Sequence, residues 1–505
     1  MSRTWTIAET HPVPPCTIVI FGASGDLAAR KLLPALYNLE HCGQNAIPPK
    51  SAILGFARRE MTPEAFRSKA REAAERYSHL KIDEACWQRF ARNLDYLSGM
   101  DRPDGFTRLK RRLEEIEKER ELPPNRIYYL SMPPEAINET VEKLHEAGLI
   151  VPPESPYFSR IVVEKPIGHD LHSALQIISS MRRFFDESQI FRIDHYLGKE
   201  TVQNLMVLRF ANSIFEEIWN NRRVDHVQIT VSEEEGLGTR AMYYDGAGAL
   251  RDMMQNHMLQ VMSLTGMEPP VSLAADAVRD AKVNVIRSLR PYEPEDVGKL
   301  VVRGQYAAGE MGGKRVPGYL QEEGIRETSR TETFVAMKAL VDNWRWAGVP
   351  FYLRTGKRLP RRASTIFVQF RRVPDILFNR RVSLSPDVLA IRIQPDEGFS
   401  LEVLAKRPGL DISIQPVRMD LSYAAEFGND SPDAYERLLL DVMAGDHTLF
   451  LGSRFVQRSW EFVQGILDRW QADPGIPLEP YAAGTWGPKA ADDLIRADGR
   501  EWYEP

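Results

Sequence analysis

Short apolar runs alternate with amphipathic helical patterns along the first third of the chain. The first run, Thr17 to Phe21, is rich in β-branched residues and is long enough for one buried strand. A glycine-rich turn follows it, and then a helical pattern of leucines extends to Gly43. Further runs predict strands over 51–56, 126–131 and 160–166, and a helical pattern covers 136–147. Strands that alternate with helices favour an α/β nucleotide-binding fold.

The glycine turn, Gly22 to Ala28, indicates a phosphate site. A strand that runs through a glycine turn into a helix brings an anion to the free N–H groups of the helix N-terminus. Gly22 and Gly25 carry no Cβ that would block a pyrophosphate, and Ala28 lets the helix pack close to the sheet. The spacing is G-x-x-G-x-x-A and not the commoner G-x-G-x-x-G. A simple strand-to-helix turn therefore remains the alternative.

Two positions at predicted strand ends indicate which cofactor binds and where it lies. The second strand is followed by Arg58 and Arg59, where NAD sites carry an acidic residue for the ribose 2′-hydroxyl. Because a guanidinium can bind a phosphate bidentately, Arg58 favours NADP over NAD; the alternative is a solvated arginine pair. Lys165 comes at the carboxyl end of the strand over 160–166, where ligands of parallel sheets bind. We therefore expect Lys165 to point into the cofactor crevice.

The segment from Phe191 to Glu200 is dense in ionisable side chains. Lys199 can supply charge to a bound phosphate, while His195 and Tyr196 can supply oriented donors. Asp194 is then a carboxylate among cations or the orienting partner of another histidine. A domain linker with a local ion pair is the alternative interpretation.

An unusually apolar helical pattern covers Gly246 to Leu264. At about 100° per residue, four polar residues fall within one sector roughly 140° wide among methionines and leucines; they are Asp252, Asn256, His257 and Gln260. A helix this apolar is buried, and its polar groups need partners. The four residues either satisfy each other in a core or line a cavity that a polar ligand fills, and we favour the site.

Composition and charge exclude several classes of protein. The 505 residues are 43% hydrophobic and 27% charged, which is enough for ordinary cores and about two domains. The 65 basic and 70 acidic residues give a net charge of −5, which argues against a nucleic-acid or anionic-membrane partner. The three cysteines lack the spacing of a disulfide framework or a zinc site; they are Cys16, Cys42 and Cys86. With no targeting or membrane-spanning pattern, we expect a soluble cytoplasmic protein.

Six motifs stand in a fixed order along nearly the whole chain. They are Gly22-Ala23-Ser24-Gly25-Asp26-Leu27 with Lys31, Glu164-Lys165-Pro166, Arg192 to Glu200, Arg251 to His257, Arg354-Thr355-Gly356-Lys357 and Ala434 to Asp441. This order and spacing resemble the glucose-6-phosphate dehydrogenase family. The segment Asp194 to Glu200 is the most specific of the six to that family.

The resemblance implies an α/β Rossmann domain plus a large α+β domain with a broad, mainly antiparallel sheet. It places the NADP-binding domain at 1–190 and the substrate-binding and oligomerisation domain at 191–505. Apolar runs in the second half agree with such a sheet, at 227–231, 351–353, 366–371, 389–394 and 412–417. By the same resemblance, we expect a homodimer or homotetramer.

The resemblance also implies the reaction and the role of each residue. The reaction is oxidation of D-glucose 6-phosphate at C1 with hydride transfer to NADP, without a metal. His257 would be the general base and Asp194 would orient and polarise its imidazole. Substrate binding would fall to Lys165, His195, Tyr196, Lys199, Glu233, Asp252, Lys357 and Arg362. Cofactor binding would fall to Gly22, Ala23, Ser24, Gly25, Asp26, Leu27, Lys31, Arg58 and Lys165.

Some family members carry a second, structural NADP site, and we do not expect one in this chain. Arg392 stands at a suitable place, but Glu402 provides an acid in a segment where a lysine is wanted. Two other functions remain open from the sequence: an oxidoreductase of an unphosphorylated sugar and a non-catalytic NADP-binding sensor. The phosphate-binding segment argues against the first, and the complete set of Lys165, Asp194 and His257 argues against the second.

Overall fold

The structure is a computed structural model that describes residues 13–41, 46–238, 241–374, 376–378, 384–428 and 432–505. Cys42 and the predicted helix end at Gly43 lie outside these ranges. Two large sheets organise the described residues, one from each half of the chain.

The first sheet has six strands, all parallel, in the order β3-β2-β1-β4-β5-β6. The strands are β1 Thr17–Phe21, β2 Ala52–Ala57, β3 Leu94–Ser98, β4 Arg126–Leu130, β5 Ser159–Val163 and β6 Ile190–Arg192. The prediction of a Rossmann domain is confirmed. Strands β1, β2 and β4 are buried at every position, as expected of a parallel sheet covered on both faces. Strand β3 was not predicted, because Asp95 interrupts its short apolar run.

Helices of both halves of the chain pack around this sheet. The helices of the first half are α1 Leu33–His41, α2 Pro63–Tyr77, α3 Glu84–Asn93, α4 Gly105–Arg120, α5 Ile137–Glu146 and α6 Leu171–Phe184. Short 3₁₀ turns cover Pro134–Ala136, Glu187–Gln189 and, in the second half, Tyr319–Gln321. Two helices from the end of the chain return to this half: α14, Ala434–Ala444, packs on α1, and α15, Ser453–Ala472, packs on α6. The two halves of the chain therefore pack against each other through these helices.

The second sheet has nine strands, in the order β16-β15-β14-β13-β7-β12-β11-β8-β17. All neighbours are antiparallel except two pairs, β7–β12 and β8–β17. The prediction of a broad, mainly antiparallel sheet is confirmed. The strands are β7 Val224–Ser232, β8 Val301–Ala307, β11 Phe334–Leu340, β12 Pro350–Gly356, β13 Ala363–Phe370, β14 Val388–Gln394, β15 Gly398–Lys406, β16 Ile414–Ser422 and β17 Glu479–Ala482, with a separate hairpin of β9 Gly309–Met311 and β10 Lys314–Val316.

The remaining helices flank the second sheet and the junction. They are α7 Glu200–Phe210, α8 Ser213–Glu216, α9 Ala241–Ala249, α10 Leu259–Gly266, α11 Ala275–Arg287, α12 Pro294–Leu300, α13 Tyr423–Phe427 and α16 Lys489–Arg496. Within the described ranges, none of these or the earlier helices is both long enough and apolar enough to cross a lipid bilayer.

The prediction of one α-helix over 246–264 is wrong. Gly248 interrupts it with φ +71°, and the chain continues as a π-helix over Leu250–Met258 before α10 begins. Glu332 explains the break: its carboxylate accepts the Leu250 N–H at 3.0 Å, and a Cβ on Gly248 would lie 2.3 Å from that carboxylate. Only glycine fits there. A π-helix has i→i+5 hydrogen bonds and more residues per turn. The four polar side chains therefore take different angular positions around the helix axis from those predicted for an α-helix.

Candidate active site

The centre of the site is a buried pair between His257 and Asp194. His257 Nδ1 lies 2.5 Å from Asp194 Oδ1, and the side chains are 0% and 1% exposed. The backbone N–H of Tyr196 also donates to Asp194 Oδ1, at 3.0 Å. His257 Nε2 has no hydrogen-bond partner among the described residues. A carboxylate on Nδ1 fixes the tautomer that leaves Nε2 as an acceptor, which is the arrangement of a general base.

Electrostatics favour a neutral imidazole facing a charged carboxylate. Burial lowers the pKa of His257 more than the charge of Asp194 raises it, and the charge of Lys165 lowers it further. The pKa of Asp194 is held below its usual range despite burial, because His257 and the Tyr196 N–H stabilise the carboxylate. At neutral pH this pair can therefore accept one proton at Nε2.

Lys165 and Asp252 form an ion pair beside this base. Lys165 follows β5 by two residues, and its Nζ donates to the carbonyl of Asp252 at 2.9 Å and to Asp252 Oδ1 at 3.2 Å. Asp252 precedes His257 by five residues within the π-helix. In an α-helix those side chains would point about 140° apart, and the wider turn brings them closer to one face. The π-helix thus places the ion pair and the base together.

Cations converge at the end of β14. Lys199 Nζ donates to Gln394 Oε1, and Arg362 Nη2 lies 3.5 Å from the same oxygen. Burial, reinforced by the charge of Arg362, lowers the pKa of Lys199 to about 8. The two cations share one neutral amide oxygen, while the carboxylates of Glu397 and Asp433 act on Lys199 from nearby, and an incoming phosphate dianion could bind both cations.

His195 and Tyr196 line the space between the base and these cations. The Tyr196 ring stacks on the His257 imidazole at 4.5 Å, and the His195 ring meets it edge-on, also at 4.5 Å. Burial, and then the neighbouring positive charges, lower the pKa of His195 well below its usual value, so its ring is neutral at pH 7. The Tyr196 hydroxyl lies 3.2 Å from Ser364 Oγ. Both rings can therefore donate hydrogen bonds without adding charge.

Glu233 and Lys357 form a second ion pair, at the paired ends of β7 and β12. Lys357 Nζ lies 2.8 Å from Glu233 Oε2 and 4.9 Å from the centre of the Tyr244 ring. The backbone N–H of Glu233 donates to the Gly356 carbonyl at 3.0 Å, which fixes the relative position of the two strand ends. This half-buried pair offers a carboxylate acceptor and an ammonium donor to the hydroxyl groups of a polar ligand.

The glycine turn has the geometry of a nucleotide site. Gly22 has φ +74°, and a Cβ there would lie 2.2 Å from the carbonyl oxygen of Ser131, so the end of β4 itself requires glycine. Residues Ala28–Leu32 form a π-helical first turn that leads into α1. Ala23 is buried, Ser24 and Leu27 are half-buried, and Gly25 and Asp26 are exposed. These residues leave backbone groups at the carboxyl edge of the sheet open to a dinucleotide.

Arg58 and Lys31 flank this turn. Arg58 is exposed directly after β2, whose Phe56 carbonyl accepts the Gly22 N–H at 2.8 Å. Lys31 lies 3.3 Å from Asp433 and 5.8 Å from the centre of the Tyr435 ring, both at the start of α14. The predicted cofactor residues thus lie along one edge of the first sheet.

The structure corrects one grouping and adds residues that the sequence did not indicate. Gln260 does not face the base: its Oε1 accepts from Lys282 Nζ at 3.0 Å, against α11. Gln394 and Ser364 contact predicted substrate residues, but a single glutamine or serine at a strand end gives no signal in a sequence. Glu164 does have a signal, since it adjoins Lys165; its carboxyl accepts the Tyr129 hydroxyl at 2.5 Å, and burial raises its pKa to about 7.

Comparison with protein families gives two matches that together span the chain. The model described as glucose-6-phosphate dehydrogenase, NAD binding domain, matches residues 19–204. The model described as glucose-6-phosphate dehydrogenase, C-terminal domain, matches residues 206–503.

Curated relatives and solved structures agree with these matches. Glucose-6-phosphate 1-dehydrogenase 2 of Mycobacterium tuberculosis (strain ATCC 25618 / H37Rv) is 45% identical over 494 residues, which cover 97% of this chain and 95% of the relative. Glucose-6-phosphate 1-dehydrogenase of Dickeya dadantii (strain 3937) is 45% identical over 503 residues, or 99% of this chain and 100% of the relative. A structure described as glucose-6-phosphate dehydrogenase in complex with its substrate glucose-6-phosphate aligns with TM-score 0.88 and 34% identity, covering 98% of this chain and 100% of that one. Glucose-6-phosphate 1-dehydrogenase from Mycobacterium avium aligns with TM-score 0.81 and 35% identity, covering 97% and 99%.

Proposed function

The chain belongs to the glucose-6-phosphate dehydrogenase family, and from that premise we propose that it oxidises D-glucose 6-phosphate at C1 to 6-phospho-D-glucono-1,5-lactone with NADP as hydride acceptor. This is the first oxidative step of the pentose phosphate pathway. The observation that carries the proposal is the buried His257–Asp194 hydrogen bond, with Nε2 unpartnered beside the Lys165–Asp252 ion pair.

Each residue has a role that its contacts support. His257 Nε2 accepts the proton of the C1 hydroxyl, and Asp194 stabilises the imidazolium that forms. Lys199, Arg362, His195 and Tyr196 bind the 6-phosphate, while Asp252, Glu233 and Lys357 bind sugar hydroxyls. Lys165 contacts both sugar and cofactor. NADP, when bound, accepts the hydride that leaves C1.

The cofactor proposal rests on the shape and charge of the glycine turn. Its residues from Gly22 to Leu27 approach a dinucleotide through the backbone, and Lys31 adds a charge beside them. The exposed Arg58 supports NADP specifically, because a free guanidinium at the end of β2 fits a 2′-phosphate.

Replacement of Arg58 tests the cofactor preference. Arg58→Ala is expected to raise KM for NADP about 10-fold or more and to leave KM for NAD nearly unchanged, since a charge-assisted hydrogen bond contributes roughly 1.5–3 kcal/mol. The measurement is the kcat/KM ratio of the two cofactors, read at 340 nm. Arg59→Ala, the neighbouring exposed arginine, is the control. Equal ratios in wild type and Arg58→Ala would contradict the 2′-phosphate role.

The reaction itself is tested with the wild-type chain. Reduction of NADP at 340 nm with D-glucose 6-phosphate, compared with free D-glucose, distinguishes the proposed enzyme from an oxidoreductase of unphosphorylated sugars. Faster turnover with the phosphate ester supports the proposal. Equal turnover with both sugars rejects the phosphate role of Lys199 and its neighbours. No turnover with either sugar rejects the proposed activity and favours a non-catalytic NADP-binding sensor.

Domain limits and compartment also follow as proposals. We assign 1–190 to NADP binding and 191–505 to substrate binding and oligomerisation; β6 ends at Arg192, next to this limit. The thiols of Cys16 and Cys86 are free. Free thiols fit a reducing compartment, and this supports a cytoplasmic location.

We propose a homodimer or homotetramer assembled through the second sheet. Strand β16 is an edge strand, and Val417 and Met419 on it are 39% and 52% exposed. An edge strand with exposed apolar side chains is a pairing surface unless something covers it. Light scattering after gel filtration is expected to give at least twice the 57.6 kDa of one chain. A Met419→Lys variant is expected to shift the protein toward the monomer. A wild-type protein with the mass of a single chain would contradict the proposal.

A further inference from the structure

A small, partly enclosed cavity of about 20 Å³ lies next to the carboxylate of Asp194. Its walls come from the two halves of the chain: the loops after β5 and β6, the π-helix and α15. The lining residues that matter here are Asp194, Gln255, Leu451, Phe455, Val456 and Ser459. The first two and the last are polar, and all six are buried.

One oxygen of Asp194 is unsatisfied at this cavity. Oδ1 accepts from both His257 Nδ1 and the Tyr196 N–H, whereas Oδ2 is buried and has no partner among the described residues. A charged oxygen left without hydrogen bonds in a protein interior is strongly unfavourable, so buried carboxylates are almost always satisfied. The carboxylate therefore needs a donor on the side of the cavity.

The opposite wall presents groups that could hold such a donor. Gln255 Nε2 donates to Ser459 Oγ at 2.9 Å, and Ser459 Oγ in turn donates to the Val456 carbonyl at 2.9 Å. Ser459 Oγ keeps one lone pair, and Gln255 keeps its Oε1 and its second N–H. Lys165, the cation among the lining residues, donates to Asp252 and makes no hydrogen bond to Oδ2.

We propose that this cavity is a binding site for ordered water that donates a hydrogen bond to Asp194 Oδ2, and that Gln255 and Ser459 position that water. The wall carries the polar groups of Asp194, Gln255 and Ser459 among apolar side chains, and the cavity is large enough for one water. Gln255 and Ser459 are then positioning residues that act on His257 through Asp194. This inference rests on the proposed function only in that Asp194 orients the base.

Loss of the water changes the pH dependence in a defined direction. A hydrogen bond to a carboxylate favours its charged form, so its removal makes the coupled Asp194–His257 pair bind its first proton more readily. The acid limb of kcat/KM then moves to higher pH. Other titratable groups act on the pair from the neighbouring segments and stay unchanged in the variants: Glu164, Lys165, His195, Tyr196, Asp252, Lys282 and Tyr435.

Two substitutions of Ser459 distinguish the contribution of the water from that of the serine hydroxyl. Ser459→Val fills the cavity and excludes water, and we expect kcat to fall about 10-fold with an upward shift of the acid limb. Ser459→Ala removes the hydroxyl but leaves room for water, and we expect kcat within about threefold of wild type. Gln255→Met, which keeps the volume and removes both polar groups, is expected to behave like Ser459→Val. Ser263→Val controls for the same change at a buried serine of α10, whose hydroxyl binds the Gln260 carbonyl.

Crystal structures of wild type and the variants show whether the water is present, independently of any activity measurement. We expect a water within hydrogen-bond distance of Asp194 Oδ2 in wild type and Ser459→Ala, and none in Ser459→Val. A dry cavity in wild type would overturn the proposal. It would also be overturned if Ser459→Val and Gln255→Met lost the water yet kept the wild-type kcat and acid limb. A failure of the proposed function is distinct, because it would show as undiminished turnover when His257 itself is replaced.

Discussion

His257→Asn is expected to lower kcat by about 10²- to 10⁴-fold, the usual contribution of a positioned general base, with little change in the affinity for D-glucose 6-phosphate. The physical reason is that asparagine keeps polar atoms in the place of the ring but cannot accept a proton near neutral pH. Asp194 would then face an amide that carries no developing charge. Steady-state rates at 340 nm give kcat, and calorimetric titration of the sugar phosphate gives its affinity.

A second buried histidine provides the control for His257→Asn. His226 lies in β7 with Nδ1 2.8 Å from Asp225 Oδ2, so it has the same kind of partner outside the site. His226→Asn is expected to lower stability and to leave kcat within about threefold. Wild-type kcat/KM is expected to fall on acidification only below the ordinary histidine value of about 6.5, because burial lowers the pKa of His257. Retention of most of the turnover by His257→Asn would show that the base is another group.

Lys199→Ala is expected to raise KM for D-glucose 6-phosphate by about 10- to 150-fold. One charge-assisted hydrogen bond to a phosphate contributes roughly 1.5–3 kcal/mol, which converts to that range. Lys199 and Arg362 share Gln394 as acceptor, so removal of the lysine leaves Arg362 as the remaining cation among the proposed phosphate-binding residues. Initial rates over a range of sugar phosphate concentrations measure the change, and kcat is expected to change less than KM.

The pH dependence of KM gives an independent test of Lys199. Because its pKa is lowered to about 8, the ammonium loses its proton as the pH rises through that value, and KM of the wild type is expected to rise there. Lys199→Ala is expected to lack this step. Lys50→Ala removes an exposed lysine that precedes β2 and pairs with Glu121; this variant is the control and is expected to keep the step. An unchanged KM in Lys199→Ala would refute the phosphate role, and so would a rise of KM near pH 8 in both wild type and Lys199→Ala.

Local patterns were sufficient for most of the first sheet. The run Thr17 to Phe21 and the glycine turn after it are dictated by short-range rules, because a buried parallel strand needs continuous apolar residues and a tight turn needs Gly22. The same rules missed β3, whose register against β2 comes from tertiary packing and not from its own sequence. They also missed the break at Gly248 that precedes the π-helix, since the carboxylate that requires glycine there belongs to Glu332, far along the chain.

Residue types near the site could be identified from the sequence, and their pairing could not. The segment from Asp194 to Lys199 indicates a site by its density of charge, and its resemblance to one family gives each residue a role. Nothing in the local pattern says that Lys357 pairs with Glu233 or that Gln394 holds Lys199. Those contacts join residues 124 and 195 positions apart.

The sequence by itself determined the alternation of strands and helices, the glycine turn, the segment 194–200 and the family, because these depend on residues close together along the chain. Only the tertiary structure decided that His257 meets Asp194, 63 positions away, with one ring nitrogen free. It also decided that Gln260 turns away toward Lys282. The physical reason is that a side chain's protonation and orientation depend on burial and on partners from other elements, which packing alone brings together.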